Sequence, residues 1–196
     1  MRKELTFCLS ILLSMGALIA PTAFAAEKSY FEASETFDPF GYYGTPVGYY
    51  LSPGTVKCPG DDPTGNPEQP CPLGSRTHTR DVLVVVRVDS SDPRMAGWMT
   101  VELNGNFDAD GAGPVWGTFN AALDSGGTWE GTWQGRRVFD PEAEEEKWTA
   151  ELHVSAKGYG GIVDGMIQMS EDHIKSPTAV PIAWLGEIQG RIVDPK

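Results

Sequence analysis

One stretch of the chain, Gly126-Gly-Thr-Trp-Glu-Gly-Thr-Trp-Gln-Gly-Arg-Arg-Val-Phe139, alternates with a period of two residues. Successive side chains of a β-strand point to opposite faces, so every second residue shares a face. The face that carries both tryptophans consists of Trp129, Gly131, Trp133, Gly135, Arg137 and Phe139. Alternating glycines weaken a strand unless it bends sharply or admits a close neighbour. The stretch therefore predicts a strongly curved strand of the kind that closes a β-barrel.

Strand-like alternation recurs on both sides of this stretch, and no segment predicts a helix of three turns. The predicted strands are residues 81–89, 97–104, 115–123, 126–139, 148–157, 162–169 and 181–193. Short turns join them, and a strand near residues 42–51 would bring the total to eight. An antiparallel succession of this kind, rich in glycine, favours an all-β fold with a single up-and-down barrel. A β-sandwich is the alternative.

The first 25 residues have the composition of a secretory signal peptide. Two basic residues, Arg2 and Lys3, precede an apolar run over residues 5–20, and the sequence Ala23-Phe-Ala25 follows. A basic start, a short apolar segment and small residues at a cleavage site are typical of exported proteins. We therefore expect cleavage after Ala25 and a secreted or periplasmic product.

The remaining chain is strongly acidic. Removing Arg2, Lys3 and Glu4 leaves 13 basic and 26 acidic residues, a net charge of −13. Such a charge argues against nucleic acid or an anionic membrane surface as a partner. No second apolar stretch approaches the length of a membrane span, so none is expected. The sequence does not determine the oligomeric state.

Residues 26–80 differ in composition from the strand-rich region of residues 81–196. They hold eight of the chain's 15 prolines, which argues for an irregular arm because proline is excluded from central strands. Two cysteines, Cys58 and Cys71, lie in this arm, and an even number of cysteines in an exported chain predicts a disulfide. By the loop-entropy model, it would stabilise the fold by about 3 kcal/mol.

The glycine and aromatic spacings resemble those of calycin-type barrels, in particular the allene oxide cyclase-like group. The residues that carry the resemblance are Gly117-Thr-Phe119, Gly127-Thr-Trp-Glu-Gly-Thr-Trp133, Lys157-Gly-Tyr-Gly-Gly161 and Asp164-Gly-Met166, within residues 81–193. The resemblance implies an eight-stranded barrel whose interior cavity takes an apolar ligand or substrate. These motifs are structural spacings, so no catalytic residue is transferred to this chain.

Aromatic side chains are the first candidates for the wall of such a cavity. The predicted ligand-binding residues are Trp133, Trp148, Trp184, Phe119, Glu102 and Asp164. The two carboxylates are included because each alternates with apolar residues on its predicted strand, and a carboxyl group inside an apolar barrel would have a raised pKa. Either carboxylate would instead face solvent if the register shifted by one residue.

Other functional motifs are incomplete. The stretch Asn106-Phe-Asp-Ala-Asp-Gly111 resembles the first half of a calcium-binding loop, but Gly117 occupies the position where a carboxylate is needed. A polar hairpin loop uses the same residue types, so calcium binding is an open alternative. The three histidines have no zinc-like spacing, and no nucleophile elbow or phosphate-binding loop is present. The sequence therefore predicts neither a cofactor nor a metal.

Three functional hypotheses are compatible with this pattern. The first is an exported barrel that binds a small, mainly apolar molecule. The second is an isomerase or cyclase that acts on a flexible hydrophobic substrate, in which one carboxylate moves a proton. The third is a carbohydrate- or protein-binding module that uses the exposed rings of Tyr42, Tyr43, Tyr49 and Tyr50. An ionisable group in the wall of an enclosed cavity would favour the second, and a flat tyrosine surface on a filled barrel the third.

Overall fold

A computed structural model describes residues 26–58, 75–140, 142–143, 147–177 and 183–195. The ordered elements of these residues are almost entirely β-strands. They are β1 (Glu27–Phe37), β2 (Tyr49–Ser52), β3 (Thr55–Lys57), β4 (Thr77–Asp89), β5 (Gly97–Phe107), β6 (Gly113–Leu123), β7 (Thr128–Phe139), β8 (Trp148–Tyr159), β9 (Ile167–Ser176) and β10 (Trp184–Asp194). One turn of 3₁₀ helix, Gly161–Val163, separates β8 from β9.

Eight of these strands form a closed antiparallel barrel. Strands β4 to β10 follow one another as neighbours, and β1 lies between β10 and β4. Strand β1 pairs with β10 along its whole length, from Glu27 opposite Asp194 to Phe37 opposite Trp184. It also pairs with β4 through Ser34, Glu35 and Thr36. The predicted up-and-down barrel is therefore confirmed, and the sandwich alternative is excluded.

The strand that closes the barrel lies earlier in the chain than the sequence predicted. Residues 26–80 were expected to form an irregular arm with one short strand near residues 42–51, but their first segment is the full-length barrel strand β1. The short strands β2 and β3 lie along the same edge of β4 that β1 contacts. They pair with the edge of β4 beyond the point where β1 leaves it. Their proline-rich surroundings concealed β1, whose own eleven residues contain no proline.

Strand β9 also differs from its predicted position. The strand expected over residues 162–169 begins only at Ile167, after the 3₁₀ turn and a short loop, and it continues to Ser176 as strand β9. The inner face of β9 is polar, with buried Gln168, Ser170 and Asp172, whereas Ile167 and Met169 face outward. This polarity is the reverse of the usual pattern, in which the apolar face of a strand points inward, and it explains why the predicted bounds of this strand are wrong.

The glycines of β7 allow bulky side chains to approach its backbone inside the barrel. A methyl group at Gly131 would lie 2.6 Å from the Phe119 ring and 2.8 Å from Ala156 Cβ. Contacts this short exclude a side chain, so the two packed neighbours occupy the space above the glycine. The predicted inward face of β7 is correct, since Trp129 and Trp133 are both buried.

One end of the barrel is closed by apolar side chains. Met95, Trp129 and Val163 are buried there, together with Phe31 and Ile192 of the flanking strands. Trp129 Nε1 donates a hydrogen bond of 2.7 Å to the Arg94 carbonyl, which ties the β4–β5 connection to the barrel. The opposite end lies beside β2, β3 and Trp148, so the two ends of the lumen differ in construction.

We expect Gly131→Val to lower the free energy of unfolding by about 2 kcal/mol or more, because its side chain would collide with the Ser155 carbonyl oxygen and with the side chains of Phe119 and Ala156. Chemical denaturation measures the change. Thr132→Val on the exposed face of the same strand is the control and should have little effect. Equal stability of the two variants would contradict the close packing above Gly131.

Candidate ligand-binding site in the barrel lumen

The lumen contains two adjoining chambers. The inner chamber, of about 70 Å³, extends toward the end closed by Trp129 and Met95. The outer chamber, of about 350 Å³, extends toward β2 and β3, and Tyr50 and Val56 contribute to its wall. The two chambers share five wall residues, Leu103, Trp133, Leu152, Ile174 and Trp184. The two chambers are therefore neighbours in the lumen, and together they form its cavity.

The four predicted aromatic residues all line this cavity. Trp133 and Trp184 contribute to both chambers, Phe119 lines the inner chamber, and Trp148 lines the outer one. Their strands are β7, β10, β6 and β8, so barrel closure brings together residues that are far apart in the chain. The side chain of Trp184 also stacks on Phe37 of β1, with ring centroids 4.1 Å apart.

The two predicted carboxylates lie outside the lumen. Glu102 is on the outer face of β5, where it accepts hydrogen bonds of 3.0 Å from Asn104 Nδ2 and from Thr118 Oγ1. Asp164 follows the 3₁₀ turn on the surface and accepts a 3.0 Å bond from the Gly160 amide. This corrects the prediction that they line the cavity. The mistaken position of β9 explains the error for Asp164, and the alternative outward orientation holds for Glu102.

A different pair of carboxyl groups occupies the lumen. Glu35 of β1 and Asp172 of β9 are each 4% exposed and line the inner chamber. Glu35 Oε1 accepts a 2.6 Å hydrogen bond from Trp184 Nε1. Gly186 of β10 lies between them, because a methyl group there would be 2.7 Å from Asp172 Oδ1 and 3.1 Å from Glu35 Cβ. The lack of a side chain at Gly186 leaves room for both carboxyl groups.

Burial changes the acid–base properties of this pair. Removal from water raises the pKa of Glu35 to about 7, although the hydrogen bond from Trp184 acts in the opposite direction. Burial also raises the pKa of Asp172 well above its usual range, and the negative charge of Glu35 raises it further. Both shifts favour the protonated form, as expected for acids in an apolar environment. The lumen thus holds one carboxyl group, that of Glu35, whose pKa lies near neutral pH, and a second, that of Asp172, whose protonated form is favoured.

Two polar atoms of the lumen have no hydrogen-bond partner among the described residues. They are Trp133 Nε1, a donor, and Asp172 Oδ1. Their neighbours on the polar face of β9 are satisfied by each other, since Gln168 Nε2 donates a 3.1 Å bond to Ser170 Oγ. Buried polar atoms normally find a partner because an unpaired one costs about 1–3 kcal/mol. Trp133 Nε1 and Asp172 Oδ1 are thus two unsatisfied buried polar atoms in the part of the chain that the structure describes.

A cationic side chain contributes to the wall of the outer chamber. Arg137 donates from Nε and Nη2 to the Gly111 carbonyl at 3.0 and 2.8 Å. Its guanidinium lies 3.6 Å from the centroid of Phe107 and 4.3 Å from that of Trp148. Burial lowers the pKa of Arg137 to about 10, which still leaves it charged at neutral pH. The aromatic faces thus stabilise a partly buried cation.

The tyrosines of the third hypothesis lie around the β1–β2 connection. Buried Asp38 orders this segment by accepting 2.7 Å hydrogen bonds from the amides of Tyr42 and Tyr43. The rings of these two tyrosines are exposed, but their planes are inclined by 78° and do not form a flat surface. Tyr50 packs edge-on against Phe37 and contributes to the outer chamber. This geometry does not favour a flat tyrosine platform.

The calcium-like stretch is a hairpin turn between β5 and β6. The Asp108 amide bonds to the Ala112 carbonyl at 2.8 Å, and Asp110 Oδ1 accepts a 3.0 Å bond from the Ala112 amide. Asn106 Oδ1 accepts a 2.7 Å bond from Arg80. Within the part of the chain that the structure describes, no group of three acidic, histidine or cysteine side chains is arranged to hold a metal.

Two of the expectations fall on other parts of the chain. Residues 1–25 and Cys71 lie outside the described residues, so the signal peptide and the Cys58–Cys71 disulfide stay predictions. Among the described residues, no helix combines the length and the hydropathy needed to cross a membrane.

Comparisons with known proteins do not assign this chain to a family. No family model matches it, and no curated protein sequence matches it either. The likeness to allene oxide cyclase-like barrels therefore stays a prediction, and functional arguments depend on the geometry of the lumen.

Of the two buried carboxylates that the sequence analysis did not predict, Glu35 has a recognisable pattern in the sequence. The alternation Phe31, Ala33, Glu35, Phe37 places one acidic residue in an otherwise apolar row, which is the pattern of a buried carboxylate on a strand. Asp172 has no comparable signal, because its row on β9 is mostly polar and the opposite row contains apolar residues.

We expect the ionisation of Glu35 to destabilise the fold as the pH rises. The pKa of Glu35 is higher in the folded protein, about 7, than its ordinary value of 4.5, so folding favours the protonated acid. Its contribution to stability is fully present below pH 4.5 and is lost as the pH rises to about 7. The loss amounts to about 3 kcal/mol. Glu35→Gln should reduce this decline, as measured by urea denaturation between pH 4.5 and 8.

Glu187→Gln is the matched control, because Glu187 is an exposed carboxylate of β10. It should retain the wild-type pH dependence. A Glu35→Gln variant with an unchanged slope would show that Glu35 ionises in the folded protein as it does in water.

Arg137→Ala should lower the free energy of unfolding by about 2 kcal/mol, because the variant loses the contacts with Phe107 and Trp148. The exposed neighbour Arg136 provides the control, and Arg136→Ala should have little effect. Thermal and chemical denaturation measure both variants. If Arg137→Ala were as stable as Arg136→Ala, the aromatic contacts would contribute no net stability.

Proposed function

We propose that this chain is an exported, calycin-like barrel that binds a small, mainly apolar molecule in its lumen. The observation that carries the proposal is the cavity formed by two adjoining chambers with largely apolar walls. Small-molecule sites are typically concave, lined by apolar and aromatic side chains, and supplied with a few polar groups for orientation. The lumen has this composition, with Glu35, Asp172 and Arg137 among its few polar groups.

The dimensions of the cavity define the size of the ligand. An apolar protein cavity of about 150 Å³ accepts a benzene-sized molecule. The outer chamber alone, at about 350 Å³, has room for a larger body such as a bicyclic hydrocarbon. The inner chamber, at about 70 Å³, has room only for a small group at one end of the molecule. The ligand is therefore expected to have a bulky apolar body and one narrow end.

The ligand reaches the lumen from the end that carries β2 and β3. Met95, Trp129 and Val163 close the opposite end with tightly packed side chains. Tyr50 and Val56 contribute to the outer chamber while remaining exposed to solvent on part of their surfaces.

A second candidate function is an isomerase or cyclase that acts on a flexible hydrophobic substrate. The observation that favours it is the buried pair of Glu35 and Asp172 in the wall of the same cavity. General acid–base catalysis is most efficient when the pKa lies near the working pH, which holds for Glu35. One carboxylate would remove a proton from carbon and the other, protonated, carboxyl group would return a proton elsewhere on the substrate. The product would then be an isomer.

Two measurements test the binding proposal: a search for a compound that co-purifies with the protein, and a titration with a defined apolar probe. Native mass spectrometry of the purified chain should detect a bound apolar molecule. Titration with decalin, a saturated bicyclic hydrocarbon, should change the tryptophan fluorescence because Trp133, Trp148 and Trp184 line the cavity. An unliganded protein whose fluorescence does not respond to decalin would refute the proposal.

Ala150→Phe should weaken decalin binding at least tenfold, which corresponds to about 1.4 kcal/mol. Ala150 lines the outer chamber, and a phenyl group there would fill part of the space the probe needs. Glu151→Phe places the same side chain on the exposed face of β8 and should leave the affinity unchanged. Fluorescence titration measures both. A similar loss in both variants would indicate that the probe binds elsewhere.

Proton exchange distinguishes an isomerase or cyclase from a protein that only binds its ligand. If the pair transfers protons to and from carbon, a co-purified compound incubated with the protein in D₂O should acquire deuterium, as mass spectrometry measures. Glu35→Gln should abolish the exchange while the compound stays bound. Binding without exchange in the wild-type protein would support the binding function alone.

A further inference from the structure

The wall of the outer chamber contains one charged side chain, that of Arg137. The other wall residues that the structure describes are apolar, aromatic or uncharged, and none of them is acidic. A charged side chain is rarely buried without a partner, because removal from water is costly unless an opposite charge or hydrogen bonds replace the lost hydration. The chamber therefore carries a positive charge that no acid of its described wall balances.

Other arginines of this acidic protein pair with carboxylates. Arg87 Nη2 lies 2.6 Å from Asp124 Oδ2, and Arg94 Nη2 lies 2.6 Å from Asp92 Oδ2. The hydrogen bonds to these carboxylates raise the pKa of both arginines. Arg137 forms no ion pair with any residue that the structure describes, and burial lowers its pKa with no opposing contribution from an acid. Its positive charge is left for a group from outside the chain.

Part of the guanidinium group of Arg137 is free to bind such a group. Of its five N–H groups, one on Nε and one on Nη2 are directed at the Gly111 carbonyl. Nη1 has no hydrogen-bond partner within the described residues, and it is not one of the buried unpaired atoms, which are Trp133 Nε1 and Asp172 Oδ1. Nη1 is therefore accessible, and one N–H of Nη1 and one of Nη2 form a free pair of parallel donors.

The packing around Arg137 holds this pair of donors in place. The guanidinium carbon lies 3.6 Å from the centroid of Phe107 and 4.3 Å from that of Trp148. The Gly111 carbonyl fixes the edge formed by Nε and Nη2. A donor pair that is already ordered loses little conformational entropy when a ligand binds, so more of the interaction energy appears as affinity.

We infer that the outer chamber binds an apolar ligand that carries one carboxylate, whose two oxygens accept hydrogen bonds from the free N–H groups of Arg137. This inference rests on the proposed function and deepens it by naming the charged group of the ligand. The carboxylate lies against Arg137, the apolar body fills the rest of the outer chamber, and the narrow end of the ligand points toward the inner chamber.

The chemistry of the site selects a carboxylate over other polar groups. A carboxylate is planar, and its two oxygens match two parallel N–H groups in a bidentate pair. An amide or a ketone accepts a hydrogen bond but leaves the charge of Arg137 unbalanced, and an ammonium group is repelled. A phosphate carries up to two charges and has three acceptor oxygens, more than the free edge of a single arginine satisfies.

The orientation of the ligand follows from the charges of the two chambers. Glu35 and Asp172 line the inner chamber, where a carboxylate would meet two further acids. Arg137 lines only the outer one. Because like charges repel in a medium of low polarity, the anionic group is held in the outer chamber and the uncharged end enters the inner one.

The test compares probes that share a bicyclic body and differ in one group. Decalin-2-carboxylate is an anion, decalin-2-carboxamide is neutral with nearly the same shape, and 2-(aminomethyl)decalin is a cation. At about pH 6.5 Glu35 is mostly protonated, since its pKa is about 7. We expect the carboxylate to bind about tenfold or more tightly than the carboxamide, despite its stronger hydration, and the cation to bind most weakly. Isothermal titration calorimetry measures the affinities.

Variants assign this preference to Arg137. Arg137→Met removes the charge and keeps a long, flexible, apolar side chain, so the carboxylate should lose its advantage over the carboxamide. Arg137→Lys keeps the charge without the parallel donors and should retain only part of the advantage. Arg136→Met is the matched control, because it removes the same charge from the exposed face of β7 and should preserve the ratio of the two affinities.

A second measurement uses the wild-type protein alone. The carboxyl carbon of decalin-2-carboxylate is labelled with ¹³C, and its chemical shift is followed as a function of pH in the free and bound states. Beside Arg137 the pKa of the bound probe should fall below that of the free probe, because a neighbouring cation favours the anion. Beside Glu35 and Asp172 it would rise instead.

Three results would overturn the carboxylate inference while leaving the binding function intact. They are a carboxamide that binds as tightly as the carboxylate, an unchanged preference in Arg137→Met, and a pKa of the bound probe that is equal to or above that of the free probe. If neither decalin nor any of its three derivatives binds, the proposed function fails and the inference fails with it.

Discussion

The pairing of β1 with two neighbours at once holds this structure together. Strands β4 to β10 form a curved sheet whose two outermost strands would otherwise expose unpaired amides and carbonyls. Strand β1 satisfies β10 along its full length and reaches β4 through Ser34, Glu35 and Thr36. Because this pairing joins the two outermost strands and encloses the lumen, the packing of the interior and the existence of the cavity both depend on this one strand.

Closure also determines the chemistry of the interior. Glu35 belongs to the three-residue segment of β1 that meets β4, so the contact that completes the barrel also buries this carboxylate. Asp172 reaches the same chamber from β9, on the other side of Gly186. Two neighbouring acids in an apolar environment oppose folding when they ionise. A fold that retains them at a cost to its own stability is more readily explained by a function in the lumen than by packing.

The two ends of the lumen differ in width and in polarity. Its inner end is sealed by apolar side chains and contains the carboxyl groups, the unpaired indole N–H and the polar row of β9. Its outer end is wider, and Arg137 lies there between Phe107 and Trp148. A ligand with a narrow end and a broad apolar body therefore matches the cavity in one orientation. This gradient is compatible with a binding protein and with an isomerase, and the carboxyl pair in the wall is the feature that favours the isomerase.

The fold class and the inward positions of Trp133, Trp148, Trp184 and Phe119 could be predicted from the sequence. These follow from local rules, because a period of two identifies strands and alternating glycines permit a strand to bend. The strand that closes the barrel and the carboxylates that lie inside it are evident only from the three-dimensional arrangement of the strands. The alternation of residues along a strand separates its two faces. It does not show which face is buried when both faces carry polar and apolar residues, as in β9. Glu35 and Asp172 are 137 positions apart in the chain, and their proximity arises from the order of strands around the barrel, which no local pattern encodes.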